Sequence, residues 1–289
     1  RLSLTEVGDD YLQRVRQILA DVDEAEVLVG NATSDPRGHV RLLLPPAFAV
    51  HQLVKRLPAF QARHPLVTVE LHSPGPVEAM DDSFDLTIFS TREPLPSGDF
   101  IAKRLAKTEV VLCASPEYLD RRGRPNHPGE LTEHNTLLPP ISELQRGITF
   151  VAASGEPAEA VTLVPHRPIV TSGHIDTNYA GALHGLGIAG LPSFVLEDAL
   201  LERALERVLP AWRLFDIDLW VALPTRKHLP ARTRAMLDFL VQAFGGEDRD
   251  PWLAAAGCET RPLQRSEKAV VVSEPVIGSI SPISGLSSR

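Results

Sequence analysis

The chain of 289 residues, 43% hydrophobic and 23% charged, is long enough for about two domains with a real core, and too close to globular averages to be fibrous or disordered throughout. Its two cysteines, Cys113 and Cys258, exclude a disulfide framework or cysteine-rich zinc site and predict a reducing, cytoplasmic setting. The net charge of -8 argues against a surface built mainly to hold nucleic acid, and the lack of an apolar run of about 18 residues, or of an apolar core near Arg1, argues against membrane insertion and secretion.

Thr5 is placed to cap a helix whose first turns carry Glu6, Asp9 and Asp10, where the helix dipole favours negative charge. Tyr11, Val15, Ile18, Val22, Ala25 and Val29 then recur at alternating spacings of four and three, the seam of a coiled coil. A helix lying on its own domain also fits. A run of about three heptads ending in a linker favours dimerisation through residues 5–30, with residues 31–38 as a hinge. From His39 the pattern predicts a strand at 40–44, a helix with Leu53, Leu57 and Phe60 on one face and a kink at Pro58, a strand at 67–71, a brief helical connection at 76–82 and a strand at 85–89. That order describes a parallel, doubly wound sheet. Residues 103–114 continue it, and Ser115 with Pro116 opens a helix.

Further strands are expected at 148–152, 160–163, 169–171 and 188–191, with helices at 175–184 and 197–207. A strand at 219–223 and an amphipathic helix carrying Met236, Leu237, Leu240, Val241 and Phe244 look like a return to the first unit. The expected fold class is therefore α/β with two lobes, residues 39–115 with 219–245 and residues 116–218, and a cleft between them. Residues 246–289 read as a mobile tail, in which Val270 to Val272 offer an edge strand as the weaker alternative.

Gly185-Leu186-Gly187-Ile188-Ala189-Gly190 has the glycine spacing of a dinucleotide turn, but a helix precedes it and a strand follows, the reverse of what pyrophosphate binding needs. No metal-binding spacing of histidine or cysteine and no nucleophile elbow occurs, so neither a metal, a cofactor nor catalysis is expected. Binding loops are better supported. In an open sheet, ligands sit beyond the carboxyl ends of strands, where loops lead into helix N-termini. Pro46-Ala47-Phe48, Ser90-Thr91-Arg92 and Ser172-Gly173-His174 all fall on that edge. Ile141 and Pro192 complete the expected effector-binding set. Ser172 also suits a plain helix cap.

Residues 2–8, Leu-Ser-Leu-Thr-Glu-Val-Gly, with the acidic helix that follows, resemble the end of the winged helix-turn-helix and the linker helix of LysR-type transcriptional regulators. Phe60-Gln61-Ala62-Arg63-His64-Pro65, Asp85-Leu86-Thr87-Ile88, Ala114-Ser115-Pro116-Glu117-Tyr118-Leu119 with Gly123-Arg124-Pro125, and the glycine segment ending in Leu191-Pro192 are similar to that family's effector-domain signature. The resemblance covers about residues 1–245. It implies a two-lobed periplasmic-binding-protein-like (type 2) effector domain behind a long linker helix. It also implies a small-molecule effector in the cleft, a homodimer or homotetramer, and operator DNA held by a helix-turn-helix of which residues 1–8 are the remnant. Two rivals share the fold: a solute-binding protein, and an enzyme using His174 with Arg92.

Overall fold

Alternation along the strands sorts the first sheet into two faces. In β1 (Gly38–Leu43), β2 (Val67–His72) and β3 (Leu86–Thr91) successive side chains point to opposite sides, so Val40, Leu42, Leu86 and Ile88 share one core while Leu43 and Phe89 share another. β1 pairs in parallel with both β2 and β3, and parallel neighbours need crossover connections, helical between β1 and β2. The computed structural model describes residues 5, 7–8, 11, 14–15, 35–92, 94–95, 98–139, 147–153, 159–164, 168–224, 229–245, 249–258, 260 and 269–272, the last four as a strand only.

The crossover from β1 is one helical run made of α1 (Pro46–Phe48), a π-helix (Ala49–Leu53) and α2 (Val54–Arg63). Pro46 sits in its first turn, where a missing N–H removes nothing, and Pro58 lies inside α2. The expected helix at 76–82 is absent. Pro74 and Pro76 withhold donors, and Asp81 instead closes a turn by accepting from the Ser83 N–H at 2.9 Å.

β4 (Phe100–Ala114) belongs to two sheets. Phe100 to Glu109 pair antiparallel with β12 (Asp216–Pro224), which also pairs with β3; Val110 to Cys113 pair with β9 (Ile188–Pro192). The second sheet runs β4, β9, β5 (Thr136–Leu138) and β8 (Pro168–Thr171), with β10 (Glu206–Val208) also on β4. A small sheet of β11 (Trp212–Arg213), β6 (Ile148–Ala152) and β7 (Ala160–Leu163) covers one face of it, where Phe150 and Trp212 meet Leu112 and Ile188. The other face carries α4 (Ile175–Leu183) and α5 (Ser193–Leu201), which pack on Val111, Leu137 and Ala189. Two lobes result, joined by β4 and by the passage from β11 into β12.

Local chemistry explains most element ends. Ser115 caps α3 (Pro116–Arg122) by accepting from the Tyr118 N–H at 3.3 Å. Gly187 follows α4 where a Cβ would lie 2.6 Å from the Asn135 carbonyl, so the glycine segment is a tight turn between helix and strand. The helix expected at 197–207 runs instead over Ser193–Leu201. Residues 193–196 are buried all round and lack a polar face, Arg203 takes a left-handed φ of 57°, and 206–208 are drawn into the ladder with β4.

α6 (Ala231–Phe244) lies on the first sheet, with Met236 and Leu240 fully buried. Beyond it, part of the segment expected to be a mobile tail takes regular structure, including the alternative edge strand. Asp250 caps α7 (Pro251–Ala255), whose Trp252 and Leu253 enter the two cores, and β13 (Ala269–Val272) pairs antiparallel with β4. Near the N-terminus Thr5 accepts from the Gly8 N–H at 3.2 Å, and Tyr11 and Val15 are helical. The other seam positions, Ile18, Val22, Ala25 and Val29, lie outside the described residues.

Candidate ligand cavity

The second sheet presents alternate residues to the small sheet that covers it. Val110 and Leu112 of β4, Thr136 and Leu138 of β5, and Ile188 and Gly190 of β9 all point to that side, and their in-between neighbours face α4 and α5. Between the two sheets lies a cavity of about 350 Å³. Its further walls come from Ile148, Thr149, Phe150 and Leu163 of the small sheet with Gly147 and Val164 at its edges, from Leu131, Thr132 and Pro139, and from Leu214 and Phe215 in the passage between lobes. That size is within the ordinary range for small-molecule sites.

Arg92, at the end of β3 in the first lobe, reaches this cavity from across the cleft. Its guanidinium carbon stands 3.9 Å from the Phe215 ring centroid, a cation–π contact. Among the described lining residues Arg92 is the one charged group. Thr136 is 8% exposed and lines the cavity, and its hydroxyl has no partner among the described residues.

Of the described residues expected from sequence to bind effector, the cavity gathers Arg92 alone. Ala47 and Phe48 are core residues, Phe48 packing on Phe194 and Phe244 at 5.6 and 5.1 Å, while Pro46 is half-buried in the first turn. Ser90 and Thr91 are half-buried and pair with Leu219 and Asp218 of β12. Pro192 is a buried N-cap residue of α5. Ser172 does not cap α4. His174 is the N-cap residue, its N–H donates to the Ser172 hydroxyl at 3.1 Å, and Gly173 and His174 are exposed beside it. Ile141 lies outside the described residues.

The sequence masks the cavity walls because β4 is buried on both faces. Val110-Val111-Leu112-Cys113 is apolar throughout and shows no alternation to separate wall from core. Two signals were nonetheless present: a threonine, Thr136, opening an otherwise apolar strand, and a glycine, Gly190, where β-branched residues are the norm.

Contacts near the cleft join the lobes. His51, on the π-helical turn, lies 2.8 Å from Asp176 in the first turn of α4 and packs edge-on against Tyr179. Gln52 is fully buried; its amide donates to the Phe194 carbonyl at 2.6 Å and to Glu197 at 3.1 Å, and its oxygen accepts from Arg56 at 2.7 Å. At the crossover of β4, Glu109 sits 3.7 Å from Arg213 and 3.8 Å from Arg207, and burial pushes its carboxyl above the ordinary range despite them. Burial also pushes up the Cys113 thiol, an inert position for a cysteine. Among the described residues no group of three or more His, Cys, Asp or Glu side chains could hold a metal ion, and no helix is long and apolar enough to cross a membrane.

Two lobes sharing a pair of crossing segments, with a cavity that touches both, define a ligand-binding domain of the periplasmic-binding-protein-like kind. Residues 33–245 match the family model of the LysR substrate binding domain. The chain is 30% identical over 243 residues to the HTH-type transcriptional regulator YhjC of Escherichia coli, covering 83% of this chain and 79% of that one. It is 29% identical over 229 residues to an HTH-type transcriptional regulator of Haemophilus influenzae, covering 79% and 77%. The full-length structure of AphB, a virulence activator of Vibrio cholerae and a member of the LTTR family, superposes with a TM-score of 0.63 at 21% identity, covering 84% of this chain and 81% of that one. The chain belongs to the LysR family of transcriptional regulators, and residues 33–245 are its effector-binding domain.

Proposed function

We propose that this regulator senses a small effector in the cavity between its second and small sheets, and that occupancy resets the angle between its lobes. The observation that carries this reading is the composition of the walls: the second lobe supplies most of them, Arg92 comes from the first, and Leu214 and Phe215 from the passage that joins them. A ligand there interacts differently with different lobe orientations, and only such a difference shifts a population between two states. The loops at Pro46, Ser90 and Ser172 then act on the lobe geometry around the site. Residues 5–30 pair two copies, DNA is held by a helix-turn-helix ahead of the linker helix, and the protein works in the cytoplasm without catalysing a reaction.

Calorimetry and thermal shift against a panel of metabolites test the reading. A saturating effector at about a hundred times its Kd raises stability by about 2.7 kcal/mol, and small-angle scattering reports the change in lobe angle. A folded chain that no compound stabilises overturns it. Loss of the dimer on deleting residues 1–30, measured by sedimentation, separates this reading from a monomeric solute-binding protein.

A further inference from the structure

We infer that the segment behind the effector-binding domain is a built-in strap: α7 and β13 fasten the joint between the lobes and hold them in one relative orientation. Both elements lie beyond the match to the family model, which ends at residue 245. The inference goes beyond the effector reading and does not depend on it.

The position of α7 carries the argument. β4 changes partners at its crossover: Glu109 is the last residue to pair with β12, and Val110 the first to pair with β9. A rotation of one lobe on the other turns the strand about this point. There the Asp250 carboxylate accepts the Glu109 N–H at 2.6 Å, and it fixes the first turn of α7 through the N–H groups of Trp252 and Leu253. The two side chains of that turn then go separate ways. Trp252, 1% exposed, enters the core built on the first sheet, with Phe194 and Phe244 at ring-centroid distances of 5.8 and 6.5 Å. Leu253, fully buried, enters the second core, the cluster that holds Val111 and Cys113. Close-packed interiors deform little, so a short helix with one side chain in each core stays seated in both at one lobe orientation. Turning the lobes draws one of the two out.

β13 ties down the far end. Gly257 closes α7 with a left-handed φ of 71°, and Ala269–Val272 then pair antiparallel with Lys103 to Phe100 of β4. β12 pairs with the same four residues, so β13 takes the opposite edge of β4 and leaves the strand paired on both sides. An open edge at this place would be a template for other strands; the chain fills it with its own. The strap therefore grips β4 twice, at the crossover and in the first lobe, with Leu253 as its hold on the second. Four residues make a short strand, one that can leave while α7 stays in its seat. The strap sets a threshold that any ligand resetting the lobe angle has to meet.

Pulsed-dipolar distances between spin labels at Ala62→Cys, on α2 of the first lobe, and Glu117→Cys, on α3 of the second, test this. Both positions are exposed. All chains carry Cys258→Ser, so that the buried Cys113 is the one other thiol, and labelled chain is mixed into excess unlabelled chain so that distances within one copy are read. The full chain is expected to give a narrow distribution. A chain ending at residue 258, and the full chain with Val270→Pro and Val271→Pro, should each give a broader or shifted one while still melting cooperatively, because proline withholds a ladder N–H. Leu253→Ala, which loosens the hold on the second lobe, should broaden it as well. A peptide of residues 259–289, added in excess to the chain ending at residue 258, should restore the narrow distribution. An unchanged distribution in the folded truncated chain, or a peptide without effect, overturns the inference. So does outright unfolding of both the truncated and the proline chains, which would make the segment part of the core and not a strap. A distribution that widens for the full chain as total protein concentration falls gives the place of β13 to a second copy and overturns it too. Effector sensing stands in each of these cases, since no ligand takes part.

Discussion

Asp250 holds three elements together through one carboxylate. One oxygen accepts from the N–H groups of Trp252 and Leu253, both at 3.0 Å, and the other from the Ser193 hydroxyl and the Glu109 N–H, both at 2.6 Å. The start of α7, the start of α5 and the crossover point of β4 thus meet at a residue with no solvent exposure. Burial raises its carboxyl above the ordinary range, although these four hydrogen bonds pull the other way. Asp250→Ala leaves three buried N–H groups unpaired and the Ser193 hydroxyl with Thr108 alone, and is expected to cost about 3 kcal/mol or more, since hydrogen bonds to charged groups contribute about 1.5–3 kcal/mol each and a lost cap about 1. Asp250→Asn retains acceptor capacity at one oxygen and should lose roughly half as much. Urea midpoints read both; equal loss in the two variants would show that the hydrogen bonds to the hydroxyl and N–H groups do not set the stability of this corner.

At the scale of elements, the π-helical turn and α5 form the junction between the lobes. A widened turn places an extra residue in the run, and here it brings His51 and Gln52 to α4 and α5. Gln52→Leu keeps the volume but removes the side-chain hydrogen bonds to the buried Phe194 carbonyl, to Glu197 and to Arg56, which keeps the Gln52 backbone carbonyl, so a loss of about 1–3 kcal/mol is expected. Faster hydrogen exchange should be confined to the helical run over 46–63 and to α5, and exchange that rises uniformly across both lobes would place the junction elsewhere. These elements also show what the sequence makes legible. Where one face meets solvent, as in α6, periodicity locates the element to within a few residues. Where an element is buried all round, as at residues 193–196 and in the second half of β4, the pattern is lost and the helix start and cavity walls go unseen. α7 is too short for any period, and only its Asp-Pro start signals it. The three expected binding loops lie at the expected strand ends, yet the cavity uses side chains one layer deeper, whose convergence depends on a small sheet closing over β9.

At the scale of the whole molecule, buried charge is concentrated where the lobes join. Along the shared strands Arg104 faces Asp218 at 3.6 Å, Lys107 faces Asp216 at 3.7 Å, and Glu109 faces Arg213 and Arg207. Burial raises the carboxyls of Glu109 and Asp218, opposed by Arg213 and Arg207 in the first case and by Lys107 and Arg104 in the second; Asp216 raises both, and Asp250 adds to Glu109. A carboxyl that holds its proton more tightly folded than unfolded makes the folded state bind more protons. Its contribution to stability is therefore fully present below the ordinary carboxylate range and is lost as pH rises from that range through the raised value. Glu70 and Glu206 shift the other way through hydrogen bonds to His39 and Arg124, but both are largely exposed, where solvent screening leaves little effect. Wild type should thus lose stability relative to Glu109→Gln as pH moves from mildly acidic to neutral, whatever constant offset the stranded arginines add. Urea unfolding of the two chains across that interval measures the slope. A difference that instead grows with pH would mean that Arg207 and Arg213 outweigh burial, and that the joint between the lobes is held by charge pairing.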